Sequence, residues 1–166
     1  MAKTFTMAQF PNAFCFAAPK DPRCGTCTVC CTALGVPELE KKPRVACVHD
    51  SGKNCSIYKT RPQSCQDYVC LWLQGAMPTY ARPDRFGVLF DAHPDGTAVL
   101  ARETEPGAFE RAEVQNLMRR FSNRLVLYCM NGDRRRVLGP PELVSAFMDR
   151  YEAQLSKDVP NGPVDT

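Results

Sequence analysis

Cys24-Gly25-Thr26-Cys27-Thr28-Val29-Cys30-Cys31 opens a stretch that runs through Cys47, Cys55 and Cys65 to Cys70. Eight of the ten cysteines fall inside it. Thiols this dense are either a disulfide framework or a metal site, and that choice decides how the N-terminal half folds. Before position 60 the stretch has little helical periodicity, and Gly25, Gly35, Pro37, Pro43, Gly52 and Asn54 break it into loops and turns. Few large aliphatic side chains are left to build a core, so covalent or ionic staples must hold it.

Disulfides need an oxidising compartment, and the N-terminus offers no route to one. Gln9, Pro11 and Asn12 interrupt the early apolar residues, which makes a poor signal peptide. No apolar run approaches the roughly 18 to 20 residues of a membrane span. A cytoplasmic location is the default expectation, and there clustered cysteines act more often as ligands than as bridges. The 166 residues are 44% hydrophobic and 23% charged, which excludes disorder of the whole chain. The net charge of +3 is too small to announce a phosphate-backbone binder.

The spacing supports metal. Two residues between cysteines let one tight turn aim both sulfurs at one ion, and Cys24/Cys27 and Cys27/Cys30 overlap in that pattern. Adjacent Cys30 and Cys31 point in different directions on any regular backbone, so they are expected to serve two ions or to include a bridging sulfur. Eight sulfurs suit two four-sulfur sites. Zinc is favoured over iron or an iron–sulfur cluster, because position 34, where a bacterial ferredoxin places its next cysteine, is Leu34.

Two divalent ions on eight thiolates leave a charge of about −4, which basic groups must offset. Arg23, Lys53, Lys59 and Arg61 lie beside ligands in sequence, and Arg61 is the leading candidate. His49 is an alternative ligand, with a structural role the plainer reading. Asp67 reads as a helix-face carboxylate, Cys129 as a core residue within a strand, and Trp72 as a cover over the cluster.

Around this centre the chain divides into an extended arm at 1–23 and a cysteine-rich metal-binding module at 24–75. A linker or crossover, Gly75 to Asp84, precedes an α+β domain at 84–155 and a flexible tail at 156–166. Pro62 is expected to start a short helix that carries Cys65 and Tyr68 on adjoining turns, with Val69 and Leu73 on its apolar face. Phe86–His93 and Thr97–Glu103 read as strands around a Pro94-Asp95-Gly96 turn. Val114, Leu117, Met118 and Phe121 mark an amphipathic helix. Arg124–Met130 and Arg135–Leu138 form a second hairpin around Asn131-Gly132-Asp133, and a last helix starts at Pro140-Pro141. Its apolar face is Leu143, Val144, Phe147, Met148, Tyr151 and Leu155. The expected class is α+β, an antiparallel hairpin/helix/hairpin/helix layer with both helices on one face.

The pattern Cys-x2-Cys-x2-Cys-Cys followed by Cys55-Ser-Ile57-Tyr58-Lys-Thr-Arg61-Pro62-Gln-Ser-Cys65-x4-Cys70 resembles the CxxCxxCC, or YkgJ, family over about residues 24 to 73. Its members are described as zinc- or iron-chelating proteins. The resemblance implies metal ligation by Cys24, Cys27, Cys30, Cys31, Cys47, Cys55, Cys65 and Cys70. Tyr58, Arg61 and Pro62 match the family's Ile-Tyr-x-x-Arg-Pro signature.

Three functions follow as expectations. The first is a non-enzymatic metal-ion-binding protein, structural or metal-handling, whose C-terminal domain binds a protein partner. The second is an iron–sulfur or metal-dependent redox or transfer enzyme. Its acid–base residues would be sparse, with His49 and His93 the only histidines. The third is nucleic-acid binding through Arg119, Arg120, Arg124 and Arg134-Arg135-Arg136. This is the least favoured, since arginines opposite an apolar face are ordinary amphipathic patterning. No membrane partner is expected.

Overall fold

A computed structural model describes residues 24–93 and 96–158, with side chains as far as Tyr151. The expected N-terminal arm with Arg23, the turn residues Pro94 and Asp95, and the chain beyond Asp158 lie outside the described residues. The last helix carries on to Asp158, into the segment expected to be tail.

Three short helices occur in the first half: α1 (Val29–Ala33), α2 (Gln63–Asp67) and α3 (Pro83–Phe86). There follow β1 (Val88–Ala92), β2 (Ala98–Glu103), α4 (Ala112–Ser122), β3 (Val126–Asn131), β4 (Arg134–Leu138) and α5 (Pro141–Asp158). The expected order of hairpin, helix, hairpin, helix is therefore present. The sheet is mixed rather than antiparallel. Its strand order is β1-β2-β3-β4, and the central β2–β3 pair runs parallel, with Leu100 beside Tyr128. The cause is α4: an eleven-residue helix spans about 16 Å. It returns the chain to the starting end of β2 before β3 begins, so β3 must run the same way.

The two helices also cover opposite faces. Val88 and Phe90, Val99 and Ala101, and Leu127 and Cys129 alternate onto the face packed by Val114, Leu117, Met118 and Phe121 of α4. The rings of Phe90 and Phe121 stack there at 5.8 Å. Residues one step out of phase, Ala98, Val126, Tyr128 and Val137, meet Val144, Phe147 and Met148 of α5 on the other face. The expectation of a one-sided layer fails because β1 is buried from Val88 through Asp91, the mark of a strand covered on both sides. On that second face Leu89 points towards the cysteines, so α5 and the cysteine-rich segment share it. Leu143 is 42% exposed and falls outside the apolar face of α5.

The expected linker is part of the core. Ala76, Met77 and Ala81 are buried with Leu71 and Trp72 against β1 and α4. Trp72 accordingly does not roof the cysteines; its Nε1 donates to the Thr79 carbonyl within the core. Helix α2 ends at Asp67, and Tyr68 is extended. The extension lets Leu71 N–H reach the Phe90 carbonyl at 2.9 Å, which stitches the cysteine segment to the edge strand β1.

Candidate metal centre

The first cysteines are set by one turn and one helix. Gly25 adopts a φ of 54°, which glycine tolerates best, and the turn closes when Cys27 N–H donates to the Cys24 carbonyl at 2.8 Å. Helix α1 then carries Cys30 and Cys31, turned about 100° apart by helical geometry. Cys47 N–H donates to the Cys31 carbonyl at 3.0 Å and brings the second loop alongside. A bridge between Asp50 and Cys55 closes that loop, with Ser56 N–H donating to His49. Helix α2 supplies Cys65 and is tied across the segment by Glu38, whose carboxylate accepts from Ser64 N–H at 2.9 Å and Ser64 Oγ–H at 2.7 Å. Cys70 follows where the chain reaches β1.

Cys24, Cys27, Cys30, Cys31, Cys47, Cys55, Cys65 and Cys70 all line one cavity of about 210 Å³. They are free thiols, as is Cys129. Cys129 is buried in the sheet core away from this cavity, as its strand position suggested. The eight line the cavity without closing on a point: among the described residues no three His, Cys, Asp or Glu side chains form a ready metal-holding group.

Thiolate charge is poorly tolerated here. Burial raises the Cys24 thiol, the charge of Cys27 adds to this, and Arg61 and Arg82 partly oppose it. A hydrogen bond with Cys30 raises Cys31, followed by burial and the charges of Cys30 and Asp50. Burial raises Cys65, with further pressure from Cys31 and Cys47. Burial pushes Cys70 up to about 11, with Cys24 and Cys27 contributing. These influences run through the whole cluster, since Cys24 feels Cys31 as well as Cys27, Cys65 feels Cys31 and Cys47, and Cys70 feels Cys24 and Cys27.

Arg61 lies on the cavity wall. Its Nη1 donates to the Tyr58 carbonyl at 2.8 Å, its Nε to the Cys65 carbonyl at 3.3 Å, and its guanidinium stacks 4.1 Å from the Tyr58 ring centroid. Tyr58 and His49 line the cavity as well. Lys53, Lys59 and Asp67 do not line it, and Asp67 accepts from Gln63 Nε2 on its own helix. His93 lies against Phe147 of α5, at 5.4 Å between ring centroids.

Several partners of the site carry no sequence signal. Arg82 reaches back across the core boundary, and its Nη2 donates to the Cys24 carbonyl at 3.0 Å and to Thr26 Oγ1 at 3.1 Å. Lys41 Nζ donates to the Thr32 and Leu34 carbonyls and eases the charge on Cys31. Tyr68 lines the cavity while its hydroxyl donates to the buried Asp91 at 3.1 Å. Burial raises the pKa of both, although Arg102 beside Asp91 acts in the opposite sense on the carboxyl.

Of the arginines read as a basic patch, Arg119 and Arg134 to Arg136 line a separate groove with Glu103 and Glu110. No helix among the described residues is long and apolar enough to cross a membrane. In comparisons with known proteins, no family model, curated protein or solved structure matched this chain.

Proposed function

We propose that this chain is a metal-ion-binding protein whose thiolate cluster holds two ions, zinc in preference to iron. The observation that carries the reading is that all eight clustered cysteines, none of them in a disulfide, line one small cavity. Residues distant in sequence, such as Cys24 and Cys70, have no other evident reason to share it. From Cys24 to Cys70 the only buried residue is Val36, so the segment lacks the oil that would hold it together alone. The resemblance to the CxxCxxCC family points the same way.

Within this reading eight sulfurs suit two four-sulfur sites. Bound zinc supplies a rigid tetrahedral node. The chain's own contribution is to aim the sulfurs and to offset their charge with Arg61, Arg82 and Lys41. An all-sulfur site of this kind leaves no open position for water, which favours a structural or metal-handling role over catalysis.

Elemental analysis of native protein prepared without oxygen, with a visible spectrum of the same sample, tests the proposal. About two zinc ions per chain and no visible absorbance are expected. A metal ratio near one rejects the two-ion arrangement. Iron with a brown colour transfers the site to iron chemistry, and disulfides without metal overturn it altogether.

A further inference from the structure

Helix α1 separates two hollows. Its Cys30 and Cys31 face the thiol cavity, while Val29 and Thr32 line a larger cleft of about 1250 Å³ on its other side, and Thr28 borders both. The opposite wall of this cleft is the carboxyl ends of the two parallel strands. Arg102 and Glu103 end β2, Met130 and Asn131 end β3, and all four line it. Beyond those ends the chain diverges, with Thr104–Gly107 leading to α4 on one face and Gly132 turning into β4. Where connections leave adjacent parallel strands in different directions a crevice opens, and such crevices are the usual ligand sites of sheets with parallel strands.

The charges around the cleft are not balanced. Two of its carboxylates are paired with cations, Asp84 with Arg82 at 3.0 Å and Glu105 with Arg111, whereas Glu103 accepts from the neutral Phe109 N–H at 2.9 Å and keeps its charge. Among its cations Arg44 is paired with Asp133 at 2.6 Å. Lys42 and Arg135 remain without a carboxylate partner among the described residues, and Arg102 shares the carboxylate of Asp91. Arg135 donates to the Gly132 and Arg134 carbonyls, which bring no compensating charge. Arg102 is held from behind. Its Nε lies 3.4 Å from Oδ2 of Asp91, and its Nη1 donates to Met130 Sδ at 3.0 Å. Asp91 is 6% exposed, its Oδ2 also takes the Tyr68 hydroxyl, and its Oδ1 has no partner. A guanidinium fixed in this way keeps Nη2 for a ligand, with little ordering left to do on binding.

We propose that this cleft binds a small molecule carrying a phosphate or carboxylate group, with Arg102 and Arg135 gripping the oxyanion. Lys42 adds charge from the facing wall, and Thr28 and Thr32, one helical turn apart, line the same space with hydroxyls. The planar fork of arginine suits both oxyanions, which is the chemistry the two ligand classes share. This site stands apart from the metal proposal, because none of its three cations lines the thiol cavity.

The experiment is isothermal titration of the full chain, with its native metal content, against inorganic pyrophosphate and separately against citrate, each compared with sodium chloride at matched ionic strength. Saturable one-site binding of at least one oxyanion is expected. Preference for pyrophosphate assigns a phosphate ligand, and preference for citrate a carboxylate. Arg102→Gln should weaken binding about tenfold or more, and Arg135→Gln severalfold. Arg136→Gln, in the neighbouring groove but not in this cleft, should leave binding within about twofold. Arg135 is exposed and its replacement spares the core, so the test survives if Arg102→Gln fails to fold. Absence of saturable binding by either oxyanion overturns the proposal. So does equal weakening by Arg136→Gln, which would mark diffuse attraction to a basic surface.

Discussion

Cys31 illustrates what a single residue in this site must overcome. A hydrogen bond with Cys30, burial and neighbouring negative charge all favour its neutral thiol. Cys24, Cys65 and Cys70 are raised as well, with burial the leading cause in each. Metal binds thiolate, so each of these groups must release a proton when an ion enters. A raised pKa keeps that proton on through neutral pH, and raising the pH therefore favours binding. Apparent zinc affinity should climb from pH 6 to pH 8 by about a decade per pH unit for each proton released. Competition with a coloured chelator measures this, and a flat profile would contradict ligation by these thiols. The sulfurs were legible as ligand candidates because cysteine spacing is a local property of sequence. Arg82 was not, since it meets Cys24 only after the chain has folded across the core.

At the scale of elements, the boundaries follow backbone chemistry and the pairings follow topology. Gly87 closes α3 with a φ of +73°, and an added Cβ would lie 2.8 Å from Ala108 Cβ. Gly87→Ala meets both a left-handed backbone and a steric overlap, and should cost about 2 kcal/mol or more in urea unfolding. A loss below about 0.5 kcal/mol would show that the turn can relax. Helix α5 docks through Phe147, which is 3% exposed, whereas Leu143 is 42% exposed. Phe147→Ala should destabilise by about 3 to 5 kcal/mol and Leu143→Ala by under about 1 kcal/mol. Similar losses in both, read from denaturant midpoints, would place the docking face elsewhere on the helix. The amphipathic period of α4 revealed its buried stripe in advance. It did not reveal which face of the sheet received it, because period fixes an element's own sides and not its neighbour's.

Taken whole, the molecule joins a well-oiled half to a dry one. The sheet, α4 and the stretch from Leu71 to Phe86 share one buried cluster. The cysteine segment leans on that body through the Leu71–Phe90 hydrogen bond, the Tyr68–Asp91 contact and the reach of Arg82. Stripping the proposed ions should therefore act unevenly. Under a strong chelator, backbone amides such as Cys27 and Cys47 should exchange with deuterium much faster, while those of Val99 and Leu127 in the sheet keep their protection. Hydrogen-exchange mass spectrometry reads the two regions separately. Unchanged exchange in the cysteine segment after complete metal removal would mean that its hydrogen bonds suffice without an ion.

By itself the sequence determined the ligand candidates, the strands, the long helices and the Asn131-Gly132-Asp133 turn, because spacing, alternation and glycine geometry act over a few residues. Only the tertiary structure decided that β2 and β3 run parallel, that α4 and α5 lie on opposite faces, and that Trp72 belongs to the core. It also decided that a buried Asp91 stands between the thiol cavity and the charged cleft. Those outcomes turn on which surfaces of separate elements meet, and burial is settled between elements rather than within them.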